Sequence, residues 1–373
     1  MSERPFSAWS GLRTTLIAFV ASRALILIVA YFAINAVLVP ESNRPASGLV
    51  DAFIRWDVTW YLDLARNGYT FHEDRQSNVV VFPGYPLLMH LGTLGFLSLK
   101  HSGILVSNLC TLCAGLVLWR LIRLDSDERA ADLGVRFFFF NPVSFFFSIG
   151  YAEGAFILFA VAALFGARTR RWWLAGLAGY AAAITRSIGV LIVVPLLVEF
   201  WHQERALFSL RSLRSWVALG CALLPGAGTL TYMATMAVQF GDPFVYRKAE
   251  VFWAREIIPF WKLYSQPAVT TLPTFYFLWF QGALLIGIAL TAAGLWIKTR
   301  SSYLVMCATY LVLHMSTGSL EAMPRYLSVV VPFYIVLGRC VALKPGLELP
   351  LTIATSVLLT FSTVLFSTGY WFT

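Results

Sequence analysis

The first long apolar stretch of the chain is followed by Arg55-Trp-Asp57-Val-Thr-Trp60-Tyr61-Leu-Asp63-Leu-Ala-Arg-Asn-Gly68-Tyr69, which sets an aspartate between two tryptophans. If this stretch is helical, Asp57, Trp60, Tyr61 and Leu64 share one face, because residues three and four apart on a helix are neighbours. An acidic side chain on an aromatic stripe beside a membrane is costly unless it has a task. The simpler interpretation is an interfacial helix anchored by Trp and Tyr, with Asp57 only solvated. This stretch alone leaves both interpretations open.

The composition indicates an integral membrane protein. Of the 373 residues, 58% are hydrophobic and only 13% are charged, and the mean hydropathy is +0.72. Soluble domains usually carry about 25% charged residues. The first apolar stretch, residues 14–39, has no small-residue cleavage site and is longer than a signal peptide, so it is predicted to be a retained membrane helix. The net charge of +9 does not indicate nucleic-acid binding, because the basic residues lie in short loops and not in one patch.

Apolar runs separated by basic loops predict about eleven membrane-spanning helices, with a range of roughly nine to thirteen. The runs lie near residues 14–39, 103–121, 137–151, 153–167, 172–185, 189–201, 214–238, 273–297, 302–318, 325–342 and 349–367. With the N-terminus in the cytoplasm, the cytoplasmic segments carry Arg4, Arg13, Arg120, Arg123, Arg129, Arg136, Arg168, Arg170, Arg171, Arg205, Arg211, Arg214, Lys298, Arg300, Arg339 and Lys344. The predicted fold class is therefore an all-α polytopic membrane protein.

This topology gives two long extracytoplasmic loops, at about residues 40–83 and 239–272, and the first is expected to carry short interfacial helices. Residues 84–99 are interpreted as re-entrant or interfacial, because a full span there would move the arginine clusters outside. Several spans between 137 and 201 are shorter than the ~20 residues that cross the hydrocarbon, so they are candidates for half-helices at a polar cavity. No linker or repeat divides residues 1–373, which predicts a single domain.

The chain's unusual polar motifs all fall on the predicted extracytoplasmic side. They are the Asp57 segment, Asn141-Pro142-Val-Ser144, Tyr151-Ala-Glu153, Thr185-Arg186, Gly241-Asp242-Pro243-Phe244, Phe252-Trp253-Ala-Arg255 and Glu321-Ala-Met-Pro324-Arg325-Tyr326. Ionisable residues at a membrane edge are expensive, so each one is a functional candidate. Together they predict a shared cavity on that side.

Each of these motifs also has a structural explanation. Glu153 could cap the helix that begins there, since an acid near a helix N-terminus is stabilised by the dipole. Arg186 and Arg325 could form structural ion pairs with Glu153 and Glu321. Gly241-Asp242-Pro243 is a turn signal, and a structural turn is the favoured interpretation.

Other polar residues are assigned to structure or surface. Asp125-Ser-Asp127 has the spacing with which many sugar transferases hold a metal and a nucleotide sugar, but it lies among arginines on the opposite side and is interpreted as solvated charge. Arg23, inside the first span, is expected to snorkel to the inner face or to pair with a neighbour. The five cysteines all fall inside apolar segments, and the pair Cys110 and Cys113 is interpreted as helix packing. The five histidines lack ligand spacing, so no metal site is predicted.

The ordered set of motifs resembles the PIG-V family. Trp56-Asp57-x-x-Trp60-Tyr61 with Gly68-Tyr69 and then Phe82-Pro-x-Tyr85-Pro86 match its first-loop signature, and the later motifs follow in the same order over roughly residues 14–340. The resemblance implies a GT-C fold and a mannosyltransferase whose donor is mannose on a polyprenyl (dolichyl-type) phosphate, with inversion at the sugar carbon. It also implies a catalytic acid in the first outer loop, a position that Asp57 holds.

The eukaryotic family member adds the second mannose of the GPI anchor. This chain is short for that protein and lacks a lysine-rich retrieval tail, so it is expected to be a bacterial relative in the plasma membrane (the ER membrane if eukaryotic). The resulting hypothesis is a glycosyltransferase that moves mannose, or a similar hexose, to a hydroxyl of a lipid-linked or glycolipid acceptor at the extracytoplasmic face.

The candidate catalytic residues are Asp57 and Glu153, because a hydroxyl that attacks a sugar carbon needs a carboxylate to take its proton. The candidate substrate-binding residues are Arg325, Arg186, Trp56, Trp60, Tyr61, Tyr151, Asn141 and Tyr326. Arginine can hold the departing phosphate, so no metal or other cofactor is required, although a divalent cation is compatible with the site. The alternatives are a lipid or glycolipid flippase with an outward-facing polar cavity and, less favoured, a non-catalytic subunit of a transferase complex.

Overall fold

The structure is a computed structural model that describes residues 8–36, 45, 48–204, 212–253 and 256–371. Four arginines discussed above, Arg4, Arg205, Arg211 and Arg255, lie outside the described residues. Residues 37–39, the last three of the predicted span 14–39, also lie outside the described residues, as do residues 40–44 and 46–47 at the start of the first outer loop.

The described residues form helices and no strand, as the all-α prediction requires. The helices of the first half are α1 (Ala8–Ala36), α2 (Leu49–Ala52), α3 (Asp57–Asn67), α4 (Gly84–Gly92), α5 (Leu99–Arg123), α6 (Glu128–Phe139), α7 (Glu153–Arg168), α8 (Trp172–Thr185) and α9 (Val193–Glu204). Those of the second half are α10 (Leu213–Phe240), α11 (Val245–Glu250), α12 (Pro267–Thr270), α13 (Thr274–Trp296), α14 (Ser301–Met315), α15 (Met323–Ser328), α16 (Val331–Leu343) and α17 (Glu348–Ser367).

Within the described ranges, six helical segments are long and apolar enough to cross a membrane. They are Trp9–Ala36, Leu99–Arg123, Ser187–Glu204, Leu213–Phe240, Thr274–Trp296 and Pro345–Ser367, and two shorter apolar helices are Ser301–Met315 and Val331–Leu343. This supports a polytopic membrane protein. The count of about eleven spans stays a prediction, because several buried helices such as α7 and α8 are only 16 and 14 residues long.

The prediction of a span at residues 137–151 is wrong. A helix ends at Phe139, and it begins at Glu128, where the Asp127 side chain accepts a hydrogen bond of 2.9 Å from the amide of Ala130. Such a cap satisfies one of the amides left free at a helix start. The helix cannot continue through Asn141-Pro142, because proline disfavours helical geometry at the residue before it and lacks a donor of its own.

The first outer loop carries short helices, as expected. The segment that contains Asp57 is helical from Asp57 to Asn67, and the next α-helix covers Gly84–Gly92. At 1.5 Å per residue this second helix is about 13 Å long, too short to cross the hydrocarbon core. Residues 84–99 therefore fit the re-entrant or interfacial interpretation better than a full span.

Helix α7 organises the interior. It packs between α5 and α8, with α10 on the far side of α8. A Cβ atom at Gly154 would lie 2.6 Å from the carbonyl oxygen of Ser107, so glycine is needed for α7 to lie this close to α5. The helix runs from Glu153 at one end to Arg168 at the other, about 23 Å away. Each end carries a cluster of charged side chains.

Between the two ends, the core is filled with aromatic rings. The fully buried phenylalanines include Phe137, Phe138, Phe139, Phe145, Phe146, Phe147 and Phe156. The ring centroids of Phe138 and Phe147 are 5.3 Å apart, which ties α6 to the turn that follows it. Arg23 does not snorkel, because its buried Nη2 donates to the carbonyl oxygen of Phe139 over 3.4 Å. A cation at the C-terminus of α6 is favoured by the helix dipole.

Candidate active site

Four charged side chains from motifs far apart in the sequence form a chain at one end of α7. Arg325 Nη1 donates to Asp57 Oδ2 over 2.6 Å, and Arg325 Nε lies 3.5 Å from Glu153 Oε1. Arg186 Nη1 donates to the same Glu153 oxygen. Acids and arginines therefore alternate in the order Asp57, Arg325, Glu153, Arg186. Charge-assisted hydrogen bonds of this kind are about twice as strong as neutral ones.

Unusual backbone geometry precedes two of the four residues. Trp56 has φ 48° and ψ −118° immediately before Asp57, the first residue of α3. Ala322 has φ 63° before the short helix Met323–Ser328 that carries Arg325. A positive φ is rare for any residue with a side chain and is a genuine outlier for a bulky one, and such strain is concentrated at functional sites. The two strained residues thus lie directly before the helices whose Asp57 and Arg325 pair with each other.

The two remaining residues lie where helices begin and end. Glu153 is the first residue of α7, and its carboxylate forms ion pairs with arginines instead of a side-chain capping bond. Arg186 has an extended backbone, φ −148° and ψ 145°, between α8 and the 3-10 turn Ser187–Ile192. This break in the helix turns the guanidinium toward α7. Arg325 pairs with Asp57 and approaches Glu153, so the predicted pairing with Glu321 is not the one observed.

Aromatic rings surround the two guanidinium groups. The Arg325 carbon Cζ lies 5.4 Å from the ring centroid of Tyr151 and 5.1 Å from that of Tyr326. Phe146, from the turn after α6, approaches the same carbon to 5.5 Å. Arg186 Cζ lies 5.8 Å from the Tyr326 centroid. Guanidinium groups are weakly hydrated and stack well on aromatic faces, so these rings hold the arginines in place while excluding water.

Tyr61 borders the cluster on the side of the first outer loop. Its ring makes edge contacts with Tyr85, at 5.1 Å between centroids, and with Tyr151, at 6.1 Å. Burial and the negative charge of Glu153 raise the pKa of Tyr61. Its hydroxyl therefore stays protonated and can donate a hydrogen bond at physiological pH. Tyr85 joins α4 to α5, because its hydroxyl bonds to Ser107 Oγ at 2.8 Å.

Three other predicted site residues make contacts outside the chain of ion pairs. Trp60 makes an edge contact of 5.3 Å with Trp253 of the second outer loop, and Trp56 makes one of 4.8 Å with Phe366 of α17. Asn141 has a turn-forming role. Its Nδ2 donates to the carbonyl of Phe138 over 2.8 Å, and its Oδ1 accepts from the amide of Val143 over 3.0 Å. Both ends of this amide are thus engaged within its own turn.

His314 also contacts the site, and the sequence did not indicate it. Its buried ring stacks on Tyr326 with centroids 4.8 Å apart and an angle of 9° between the planes. The histidines were judged on ligand spacing, which says nothing about stacking. The available signal was position, since His314 lies in the last turn of the apolar helix that precedes the Pro324-Arg325-Tyr326 motif.

The second outer loop crosses the same region. The amide of Ile258 donates to the carbonyl of Ser316 over 2.9 Å, which pins the loop to the turn after α14. Asp242 forms the structural turn that was favoured from the sequence, with its Oδ1 accepting from the amide of Phe244 at 2.8 Å. Lys248 pairs with the other oxygen at 2.7 Å.

A second charged cluster lies at the opposite end of α7. Arg300 donates to both oxygens of Glu199, over 2.7 and 2.6 Å, and Ser302 adds a bond of 2.8 Å. Arg168 pairs with Asp125 at 2.5 Å. Asp125 is exposed, as its interpretation as solvated charge requires, and it is also ion-paired. In the part of the chain that the structure describes, no group of three or more His, Cys, Asp or Glu is arranged to hold a metal ion.

The sequence of the chain matches a known family over most of its length. Residues 20–266 match the family model described as Mannosyltransferase (PIG-V). The chain belongs to this family. GPI alpha-1,6-mannosyltransferase 2 of Mus musculus is 28% identical over 163 residues, covering 40% of this chain and 32% of the mouse protein. GPI mannosyltransferase pigv-1 of Caenorhabditis elegans is 25% identical over 150 residues, covering 35% of this chain and 22% of the worm protein. The match thus spans about a third or less of these PIG-V relatives.

Solved structures show the fold of this PIG-V protein. ArnT from Cupriavidus metallidurans bound to undecaprenyl phosphate has a TM-score of 0.54 at 17% identity, covering 93% of this chain and 65% of ArnT. The archaeal oligosaccharyltransferase AglB from Archaeoglobus fulgidus, in complex with an inhibitory peptide and a dolichol-phosphate, has a TM-score of 0.55 at 12% identity, covering 98% and 56%. The predicted GT-C fold is confirmed, and the protein is an integral membrane protein.

Proposed function

We propose that this protein transfers mannose, or a similar hexose, from a polyprenyl or dolichyl phosphate to a hydroxyl of a lipid-linked or glycolipid acceptor, with inversion. The observation that carries the proposal is the paired chain Asp57, Arg325, Glu153, Arg186 in a PIG-V family member. Undecaprenyl phosphate in ArnT and dolichol-phosphate in AglB support a polyprenyl phosphate donor, and the GPI mannosyltransferase relatives support mannose and a glycolipid acceptor. The site is proposed to face the extracytoplasmic side of a bacterial plasma membrane.

The reaction needs one proton acceptor and one anion site. The acceptor oxygen attacks the anomeric carbon from the face opposite the phosphate, the bond from that carbon to the phosphate oxygen breaks, and the hydroxyl proton passes to a carboxylate. The departing phosphate gains one negative charge. Arg325 and Arg186 are proposed to hold it, since arginine binds phosphate through two parallel hydrogen bonds and such fixed charges lower the barrier.

Asp57 is proposed as the general base. Of its side chain, 29% is exposed, whereas Glu153 is fully buried between two arginines. An acceptor hydroxyl can therefore reach Asp57 without displacing either arginine from Glu153. Trp56 and Trp60 lie beside Asp57 at the start of α3 and are proposed to line the acceptor's approach. Tyr61, Tyr151 and Tyr326 are proposed to line the donor sugar and its phosphate. Asn141 stays a weaker candidate, because its own turn engages its amide.

The flippase alternative needs a polar route between the two ends of the bundle. The space between the charged clusters is instead packed with fully buried phenylalanines, among them Phe138, Phe139 and Phe146. A charged headgroup would have to pass through these rings, at a cost of several kcal/mol or more. The packing therefore favours catalysis at one face over transport.

One experiment tests the activity directly. Purified protein in lipid vesicles is incubated with radiolabelled polyprenyl-phosphate mannose and a lipid extract, and the labelled lipids are separated and identified. We expect label to move to a glycolipid, with the anomeric configuration inverted. Movement of intact donor between the leaflets without a labelled product would support the flippase instead.

A second experiment tests the sidedness. Asp57→Cys and Asp125→Cys are made in a background that lacks the five native cysteines and are treated with a membrane-impermeant reagent on intact cells. Labelling at position 57 but not at 125 is expected. Labelling at position 125 but not at 57 would show that the predicted topology is inverted.

A further inference from the structure

Arg325 lies between two carboxylates in the free protein, and its bonding is incomplete. Its Nη1 donates to Asp57, whereas its Nε is 3.5 Å from the nearer oxygen of Glu153. Among the residues that the structure describes, Arg325 Nε and Glu153 Oε2 have no hydrogen-bond partner, although both side chains are at least nine-tenths buried. Leaving such buried atoms unpaired is costly. A small shift of the guanidinium toward Glu153 would complete one bond as it releases Asp57.

The charges of the cluster cancel before any substrate binds. Asp57 and Glu153 are balanced by Arg186 and Arg325, and a sugar phosphodiester brings one further negative charge into a site walled by aromatic rings. Arg186 is held by Glu153, which is fully buried. Arg325 is held by Asp57, the more exposed of the two carboxylates. The arriving phosphate therefore competes with Asp57 for Arg325.

Resting on the function proposed above, we infer that the Asp57 carboxylate occupies, in the free protein, the position on Arg325 that the donor phosphate takes in the complex. Donor binding moves the Nη1 hydrogen bond of Arg325 from Asp57 Oδ2 to a phosphate oxygen. Glu153 keeps the same guanidinium in place through Nε. Asp57 Oδ2 then has a lone pair for the proton of the acceptor hydroxyl.

This exchange couples the two substrates. In the free protein the Asp57 Oδ2 lone pair that accepts the bond from Arg325 Nη1 is not available to a hydroxyl proton. Donor binding releases that lone pair. The acceptor is thus activated only after the donor has bound, and Asp57 opposes donor binding in return, because such coupling is reciprocal.

The test measures how strongly Asp57 opposes binding of the donor phosphate. Farnesyl phosphate, a short-chain prenyl monophosphate, is titrated into purified full-length protein in lipid nanodiscs, and the Kd is obtained by calorimetry. Asp57→Asn keeps the shape of the side chain and removes the competing charge, so it should bind about tenfold more tightly than wild type. Farnesol, which lacks the phosphate, should bind both proteins equally.

Asp63→Asn is the matched control. Asp63 lies on the same helix but bonds to Asn67 and Asn78, at 2.7 Å each. Its substitution should leave the Kd for farnesyl phosphate within about twofold of wild type. If Asp63→Asn bound farnesyl phosphate as much more tightly as Asp57→Asn does, the effect would come from the loss of any nearby negative charge. That result would overturn the inference.

A Kd for Asp57→Asn that is unchanged or weaker, in protein with the wild-type thermal midpoint, also overturns the inference. If this variant does not fold, Asp57→Ser makes the same comparison. Arg325→Lys separates the inference from the proposed function. If Arg325→Lys binds farnesyl phosphate as tightly as wild type, Arg325 does not hold the phosphate, and that part of the proposed function is wrong. If Arg325→Lys loses binding and Asp57→Asn shows no tighter binding, only the exchange between Asp57 and the phosphate is overturned.

Discussion

The two ends of α7 carry clusters built from the same residue types and bonded to different degrees. At the end of α7 that carries Arg168, called the inner end after the predicted topology, Glu199 accepts two bonds from Arg300, one from Ser302 and one from Gln203. At the end that carries Glu153, called the outer end after the same prediction, Glu153 Oε2 and Arg325 Nε have no hydrogen-bond partner among the described residues. Glu199 and Glu153 are almost equally buried. Burial therefore does not separate the two glutamates, but the bonding of their carboxylates does, although Arg168 Nε and Gln203 Oε1 of the inner cluster also lack a hydrogen-bond partner among the described residues.

This difference indicates different tasks. A buried carboxylate with both oxygens hydrogen-bonded holds helices together, and at the inner end Glu199 ties α9 to α14 and lies 3.6 Å from Arg168 of α7. A buried carboxylate with an oxygen left unbonded is costly and persists only where the surrounding structure imposes it, which is typical of functional sites. The strained backbone of Trp56 and Ala322 lies at the outer cluster, next to Asp57 and Arg325. The outer end is thus the one suited to exchanging partners with a substrate.

The largest expected effect distinguishes two arginines. Arg325→Lys should lower the rate of transfer by about 10²–10³, because lysine loses the planar fork that binds phosphate in two places. Arg300→Lys, at the inner end, should leave the rate per folded molecule within about twofold of wild type. Both rates are measured with radiolabelled donor in the same vesicles. Wild-type turnover by Arg325→Lys would remove Arg325 from the site.

The inner cluster should affect stability instead. Glu199→Gln leaves Arg300 without its charge partner and should lower the free energy of unfolding by about 2 kcal/mol, which is below the usual range for a buried pair because Arg300 is about a third exposed. The shift of the thermal midpoint in detergent measures this. Asp127→Asn is the control, since asparagine caps a helix as well as aspartate does. A Glu199→Gln protein of full stability but reduced activity would reverse the roles of the two ends.

The smallest effect is expected at the exposed pair of Asp242 and Lys248. Hydrogen bonds from Lys248 and from the amide of Phe244 lower the pKa of Asp242. A carboxyl whose pKa is lowered by folding contributes stability above its unfolded pKa of about 3.9, and that contribution is lost as the pH falls through the folded value. Asp242→Asn should therefore shift the thermal midpoint slightly at neutral pH, and the shift should shrink on acidification. A shift that grows on acidification would contradict this.

The sequence predicted the class of fold and most of the helices, because long apolar runs and one-sided arginine loops depend on local composition. It failed at residues 137–151, where a run of phenylalanines suggested a span although Asn141-Pro142 ends the helix. Those rings instead fill the core beneath the site. Hydropathy measures apolarity and cannot tell a membrane-facing ring from a buried one.

The sequence also predicted the four charged residues, from their position on one side of the membrane. It offered the pairing of Arg186 with Glu153 as an alternative, and that pair is observed, but it did not predict the pairing of Arg325 with Asp57, because that depends on how α3 and α15 pack. The same limit explains the missed stacking of His314 on Tyr326 and the turn-forming role of Asn141. Pairings between distant segments are set by tertiary structure, and a single sequence records only their residue types.

The most direct test of the account compares Asp57→Asn with Asp125→Asn, one acid from each end of α7, by the rate of mannose transfer in identical vesicles. The account predicts that Asp57→Asn loses a factor of about 10²–10⁴ in rate while it still binds a prenyl phosphate, because asparagine cannot accept the proton. Asp125→Asn should retain a rate within about twofold of wild type per folded molecule. Near-normal transfer by Asp57→Asn, with Glu153→Gln inactive and still able to bind prenyl phosphate, would contradict the account and assign the base to Glu153.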